Sequence, residues 1–210
     1  MAYFIKEIFY SLQGEGLQSG RAAVFCRFAG CNLWSGREED RTTAICNFCD
    51  TDFIGINGQN GGKFHDAQSL VKKVSEHWPF SGGKPLVICT GGEPLLQMDT
   101  ILVNTFHQAG FEVAIETNGT LEPPLGIDWI CVSPKANTKL LLTSGDELKL
   151  IFPQKDAPPE LFQDFNFKYF FLQPMSNQQS HYNTQLALDY CLKHPQWRIS
   201  LQTHKLLNIQ

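Results

Sequence analysis

The chain has 210 residues and a mass of 23.7 kDa, enough for one substantial core, so a mini-protein that depends on disulfide or metal staples is excluded. With 42% hydrophobic and 18% charged residues the composition is that of a folded domain and not of a disordered segment. A net charge of -4 and an isoelectric point near 5.8 supply no footprint for nucleic acid. No window approaches an unbroken membrane span, and the start MAYFIKEIFYSLQGEG lacks a basic stretch followed by a long apolar one. The expectation is an untargeted, cytoplasmic protein with neither a nucleic-acid nor a membrane partner.

In chain order, short β-branched and aromatic runs alternate with segments of helical period. Strands are predicted at 22–28, 85–90, 111–116, 128–132, 147–152, 168–173 and 197–202, and helices at 66–78, 96–110 and 183–194, the second closed by Gly110. SGREEDRTT (35–43) reads as a solvated insertion, part of a loop spanning about 33–44, and GINGQNGGK (55–63) as a flexible surface loop. With no repeat, low-complexity tract or linker, residues 1–210 form a single domain. Near-continuous apolar strands between helices predict a mostly parallel sheet. The short, Pro-rich GTLEPPLG connection leaves no room for a full set of crossover helices. The predicted fold is therefore α/β: an abridged, incomplete (β/α) barrel of about six mostly parallel strands with few helices. Small or polar clusters follow six strands, at 29–31, 91–93, 117–119, 133–135, 174–176 and 203–204, where the carboxyl ends of parallel strands form an active-site rim.

Seven cysteines are an odd number for a disulfide framework, and a reducing compartment favours metal or catalytic thiols. Cys89, Cys131 and Cys191 lie in apolar runs and are expected in the core. Cys31, Cys46 and Cys49 form C-x14-C-x2-C, and three thiolates can hold three irons of a [4Fe-4S] cube while leaving the fourth open. Cys26 would extend the pattern to C-x4-C-x14-C-x2-C, a plausible four-thiolate zinc site, and by spacing alone zinc stands slightly ahead. Alternation along 22–28 turns Cys26 toward the core, away from the loop that carries the other three.

The stretch 90–95, Thr90-Gly91-Gly92-Glu93-Pro94-Leu95, follows the strand PLVICT, so a cysteine loop after one strand and GGEP after the next stand in order. This arrangement resembles the radical S-adenosylmethionine superfamily, departing from its usual C-x3-C-x2-C by the enlarged loop. Together with SLQGEG (11–16), FCRFAGCNLW (25–34), CDTDF (49–53) and SPK (133–135), it is similar to the 7-carboxy-7-deazaguanine synthase family from about Leu12 to the C-terminus. The resemblance implies a carbon-nitrogen lyase with a radical S-adenosylmethionine core. Its reaction contracts 6-carboxy-5,6,7,8-tetrahydropterin to 7-carboxy-7-deazaguanine with loss of ammonia, on the route to queuosine and other deazapurines. It further implies a [4Fe-4S] cluster, S-adenosyl-L-methionine, Mg²⁺, a flavodoxin- or ferredoxin-type reductant and a homodimer.

Carried over residue by residue, the resemblance assigns Cys31, Cys46 and Cys49 to the cluster and Thr51 to magnesium. It assigns Phe48, Asp50, Gly91, Gly92, Glu93, Asn118, Ser133, Lys135, Gln173, Pro174, Met175 and Ser176 to the cofactor. Leu12, Gln13, Gly14 and Glu15 match the family's substrate loop. Arg27, which follows Cys26 on an alternating strand and so turns to the interior, is the cation for the substrate carboxylate. Thr90, Glu116, His204 (a candidate proton donor) and Gln210 are placed on the substrate side by their positions at strand ends. Two competing readings are another radical enzyme, such as a glycyl-radical activase, which has no need of Arg27 or SLQGEG, and a zinc-binding module that uses all four early cysteines.

Overall fold

Alternation along the strands sorts the side chains into two layers, and the computed structural model, which describes residues 1–79 and 82–210, shows what each layer packs against. Among the described residues nine strands form one sheet: β1 (Tyr3–Leu12), β2 (Ala22–Phe28), β3 (Gly62–Phe64), β4 (Leu86–Gly91), β5 (Glu112–Thr117), β6 (Trp129–Val132), β7 (Ser144–Phe152), β8 (Asn166–Pro174) and β9 (Trp197–Ile199), in the spatial order β3-β1-β2-β4-β5-β6-β7-β8-β9. Every pair from β2 to β9 is parallel, while β1 runs antiparallel to both β2 and β3. The sheet is open, with β3 and β9 as its edges. Seven parallel strands thus stand where about six were expected.

One face carries Val24, Cys26, Phe28, Val87, Cys89, Val113, Ile115, Leu148, Leu150 and Leu172, which join Leu70, Val74, Leu102, Phe106 and Ala187 in the main core. The latter five lie on α1 (Ala67–Ser75), α2 (Thr100–Gln108) and α3 (Ser180–Lys193). Asp66 caps α1 in a capping box with Ser69, and Asp99 caps α2 while accepting a 2.9 Å hydrogen bond from Tyr3 Oη, which ties β1 to the helical layer. No helix among the described residues covers the β5–β6 or β6–β7 connection, in keeping with the Pro-rich stretch at 119–126. The other face has a small apolar cluster (Ala23, Leu86, Ile88, Ala114) and turns polar toward the carboxyl ends of the strands.

β1 escaped the sequence pattern because its alternation breaks: a register shift between Ile5 and Glu7 puts buried residues side by side. The segment 55–63 is not a free loop. Gly58 N donates to Lys6 O (3.0 Å), Ile8 N to Gln59 O (2.8 Å) and Asn60 Nδ2 to Ile8 O (3.0 Å), and a side chain at Gly61 would strike Lys6 O, so the segment lies along β1 and ends in β3. The last strand stops at Ile199, and a short helix, α4 (Thr203–Leu207), follows. Leu33 and Trp34 are buried, so the solvated insertion begins at Ser35. Its 3-10 turn, Glu38–Thr43, buries nothing. Cys89 is in the core as expected, and Cys191 is half-buried; Cys131 is buried on the polar face, between Glu116 and Glu147 on the neighbouring strands.

Candidate active site

At the carboxyl ends of the parallel strands lies a cavity of about 460 Å³, within the range of small-molecule sites. Every residue assigned above to the cluster, magnesium, cofactor or substrate lines it except Glu93. The Glu93 carboxylate is fully buried beneath and accepts from Thr117 Oγ1 (2.8 Å), Asn118 N (2.8 Å) and Leu95 N (3.0 Å). Burial pushes its pKa up against these donors. Its place is to fasten the Gly91-Gly92 turn to the end of β5.

The cysteine loop forms one wall. Cys31 follows β2 and accepts from Leu33 N (3.4 Å), while Cys46 and Cys49 return after the insertion. The hydrogen bond between their sulfurs holds Cys49 down to about 6 and, with burial, pushes Cys46 up. Arg41 of the insertion stacks over Trp34 at 4.1 Å and donates to Asn47 O (3.1 Å) and Cys49 O (2.9 Å), so the insertion braces the loop from outside. Gly91 has φ +142°, and a Cβ there would meet Phe28 O. One on Gly92 would meet Gly30 O and Cys31 Cβ. Two glycines are what allow the GGEP turn to lie against the cysteine loop. Three soft sulfurs on one cavity suit an iron-sulfur cluster with an open iron, whereas Cys26 sits in the core beside Cys89 and completes no four-thiolate site.

Lys135 donates to Ser133 O (2.6 Å) and Ser133 Oγ (2.7 Å), and burial lowers its pKa against the pull of Cys46 and Cys49. Asn118 is fixed by Nδ2 donating to Asn32 Oδ1 (2.9 Å) and by Thr120 donating to its Oδ1. Gln173 accepts from Ser200 Oγ (3.1 Å), which in turn accepts from Gly16 N (2.9 Å). Thr51 lines the cavity between two engaged carboxylates, Asp50 paired with Lys205 (2.9 Å) and Asp52 with Lys6 (2.8 Å); a hydroxyl is a hard oxygen of the kind Mg²⁺ accepts.

A charged network also lines the cavity. Lys149, on β7, donates to Glu15 Oε2 (2.7 Å) and Glu116 Oε2 (2.8 Å). Gln202 Nε2 donates to Glu15 Oε1 (2.8 Å), and Gln13 Nε2 to Glu116 Oε1 (3.0 Å). Burial alone would raise Glu15, but Lys149 and Gln202 outweigh it and hold the carboxyl down to about 2. Arg27 lines the cavity but is not a free cation: its Nε donates to Glu7 Oε1 at 2.7 Å. Gln210 reaches the same Glu7 (3.4 Å) and accepts from Ser11 Oγ (2.6 Å). α4 clasps the 12–15 loop: Thr203 N donates to Gly14 O (2.9 Å), and the His204 ring fills the space a side chain at Gly14 would need. Burial lowers His204, with Glu15 opposing. Lys205 bridges Asp50 and Ser176, at 2.9 Å each.

Lys149, Glu7, Gln202 and Lys205 were not anticipated. For Lys149 the signal existed: ELKLIF places Glu147 and Lys149 two apart, opposite Leu148 and Leu150, and two charges on one face of an otherwise apolar strand mark a polar cavity wall.

A parallel α/β sheet whose rim carries a three-cysteine loop packed on a Gly-Gly turn defines a class, that of the radical S-adenosylmethionine enzymes. The chain is 57% identical to the 7-carboxy-7-deazaguanine synthase of Caulobacter vibrioides over 209 residues and 59% identical to that of Bordetella pertussis, each alignment covering all of both chains. Among solved structures, the crystal structure of QueE from Escherichia coli matches with a TM-score of 0.74 at 27% identity, covering 96% of this chain and 94% of that one. No protein-family model matches. The chain belongs to the 7-carboxy-7-deazaguanine synthase family.

Proposed function

We propose that the chain is a carbon-nitrogen lyase of the radical S-adenosylmethionine type that converts 6-carboxy-5,6,7,8-tetrahydropterin to 7-carboxy-7-deazaguanine with release of ammonia. The observation that carries this reading is the cavity itself: in a member of this family, three thiols and two hydrogen-bonding carboxylates line one space. A [4Fe-4S] cluster with S-adenosylmethionine supplies, when bound, the one-electron chemistry that opens an unactivated C–H bond. Cys31, Cys46 and Cys49 would hold the cluster. The backbone at Gly91 and Gly92 admits the methionine end of the cofactor, and Asn118, Ser133, Lys135 and 173–176 offer polar contacts to the rest, alongside Phe48 and Asp50. Gln13, Glu15 and Glu116 present acceptors and an amide to the donor edge of a pterin, while Arg27, paired on its Nε side, keeps its Nη nitrogens for a carboxylate. Leu12, Gly14, Thr90, His204 and Gln210 complete the substrate side. Thr51 offers magnesium one neutral ligand, so metal binding would lean on the substrate carboxylate. The reading carries with it a flavodoxin- or ferredoxin-type electron donor and a homodimer.

The test is iron, sulfide and zinc analysis on protein purified without oxygen, followed by an assay of pterin conversion. About four irons and four sulfides per chain are expected, kept in Cys26→Ala and lost in Cys46→Ala. One zinc without sulfide, lost in both variants, would sink the proposal.

A further inference from the structure

Lys149 occupies an unusual position for a lysine: it is buried on β7 and bridges two carboxylates from distant segments, Glu15 before β2 and Glu116 at the end of β5. A buried ammonium persists only where anions surround it, and two adjacent carboxylates stay ionised together only with a cation between them. The bridge consumes one oxygen on each carboxylate, and Gln202 and Gln13 engage the other two. A carboxylate accepts about four hydrogen bonds, so each retains lone pairs, and both line the cavity. The trio carries one net negative charge. Glu147 sits below it, accepting from Leu17 N (2.9 Å), and a side chain on Gly16 would strike its carboxylate, so the whole 13–17 loop rests on β7.

We propose that Lys149 is a positioning residue that sets the specificity of the site: by fixing Glu15 and Glu116 side by side as acceptors, it selects ligands that present a row of N–H donors. This rests on the pterin reading above. The 2-amino-4-oxopyrimidine edge of a pterin supplies such a row. The 2-oxo analogue replaces the amino donor by an acceptor and leaves a carboxylate facing a carbonyl, a mismatch worth roughly a hundredfold in selectivity. Lys149 lines the cavity beside Glu15 and Glu116, and its role runs through the two glutamates it holds.

The test compares holoenzyme carrying Lys149, Lys149→Met or Lys149→Arg. The readouts are kcat and KM for 6-carboxytetrahydropterin and its 2-oxo analogue, calorimetric substrate affinity between about pH 5 and 8, iron content and the KM for S-adenosylmethionine. Parent enzyme is expected to prefer the 2-amino substrate by roughly a hundredfold. Lys149→Met should raise the pterin KM about tenfold or more and erase most of the preference, leaving iron content and the S-adenosylmethionine KM unchanged. Its affinity should fall as pH drops toward 5, because burial then raises Glu15 without the ammonium to oppose it. The other ionisable groups facing this point, Glu116, Cys131, Glu147, Lys135 and His204, are common to all three proteins. Lys149→Arg keeps the charge and should keep the preference. A Lys149→Met enzyme with parental KM, preference and pH profile overturns the proposal, as does an arginine variant that fails as badly as the methionine one. Should Lys149→Met not fold, parent enzyme decides: equal use of the two analogues overturns it. A parent that converts no pterin at all overturns the functional reading instead.

Discussion

Glu93 shows how a residue can matter to a cavity it does not line. Its carboxylate takes three donors, from Thr117, Asn118 and Leu95, and is wholly buried. In Glu93→Gln the amide must turn an N–H₂ toward one of these donors, leaving buried groups unmatched at a cost of about 1–3 kcal/mol. A lower urea midpoint with an unchanged m value is the expected outcome. At the same scale, Arg27 was legible as a cavity residue because it follows Cys26 on an alternating strand. Its partner was not, because Glu7 stands opposite Arg27 in the β1–β2 register and β1 had not been read as a strand.

Elements were legible where alternation or helical period ran unbroken, which covers the seven parallel strands and the three longer helices. They were hidden where another interaction set the backbone. The irregularity between Ile5 and Glu7 masks β1, and the glycines of 55–63 hide a segment whose order comes from hydrogen bonds to β1 and not from its own side chains. α4 has no buried residue to give it a period. The pairing of the GGEP turn with the cysteine loop belongs to this scale too. Gly92→Ala would drive a methyl group into Gly30 O and Cys31 Cβ, displacing one element against the other. Because the clash is local to the loop, iron content should fall severalfold while the far-ultraviolet circular dichroism stays parental; overpacking of this kind costs about 1–3 kcal/mol.

Across the whole molecule, an apolar helical layer and a charged cavity share one sheet, and acid tests the second. Glu15 is held down to about 2 from an ordinary 4.5, so its contribution to stability is complete above about 4.5 and disappears as pH falls through about 2. The advantage of parent protein over Glu15→Gln in urea midpoint should therefore shrink across that window, measured by equilibrium unfolding at a series of pH values. No helix among the described residues is long and apolar enough to cross a membrane.

The alternation on β7 reaches further than the cavity. Leu148 and Leu150 point into the helical layer, and Glu147 and Lys149 point away from it. A slip of one residue against β6 or β8 would exchange the two sets, driving two charges into hydrocarbon and two leucines into the polar space. Parallel strands, joined by distant crossovers, have no hairpin turn to set their pairing. In this chain the charge of Lys149 at the cavity and that of Glu147 beneath it therefore penalise every one-residue mispairing of β7.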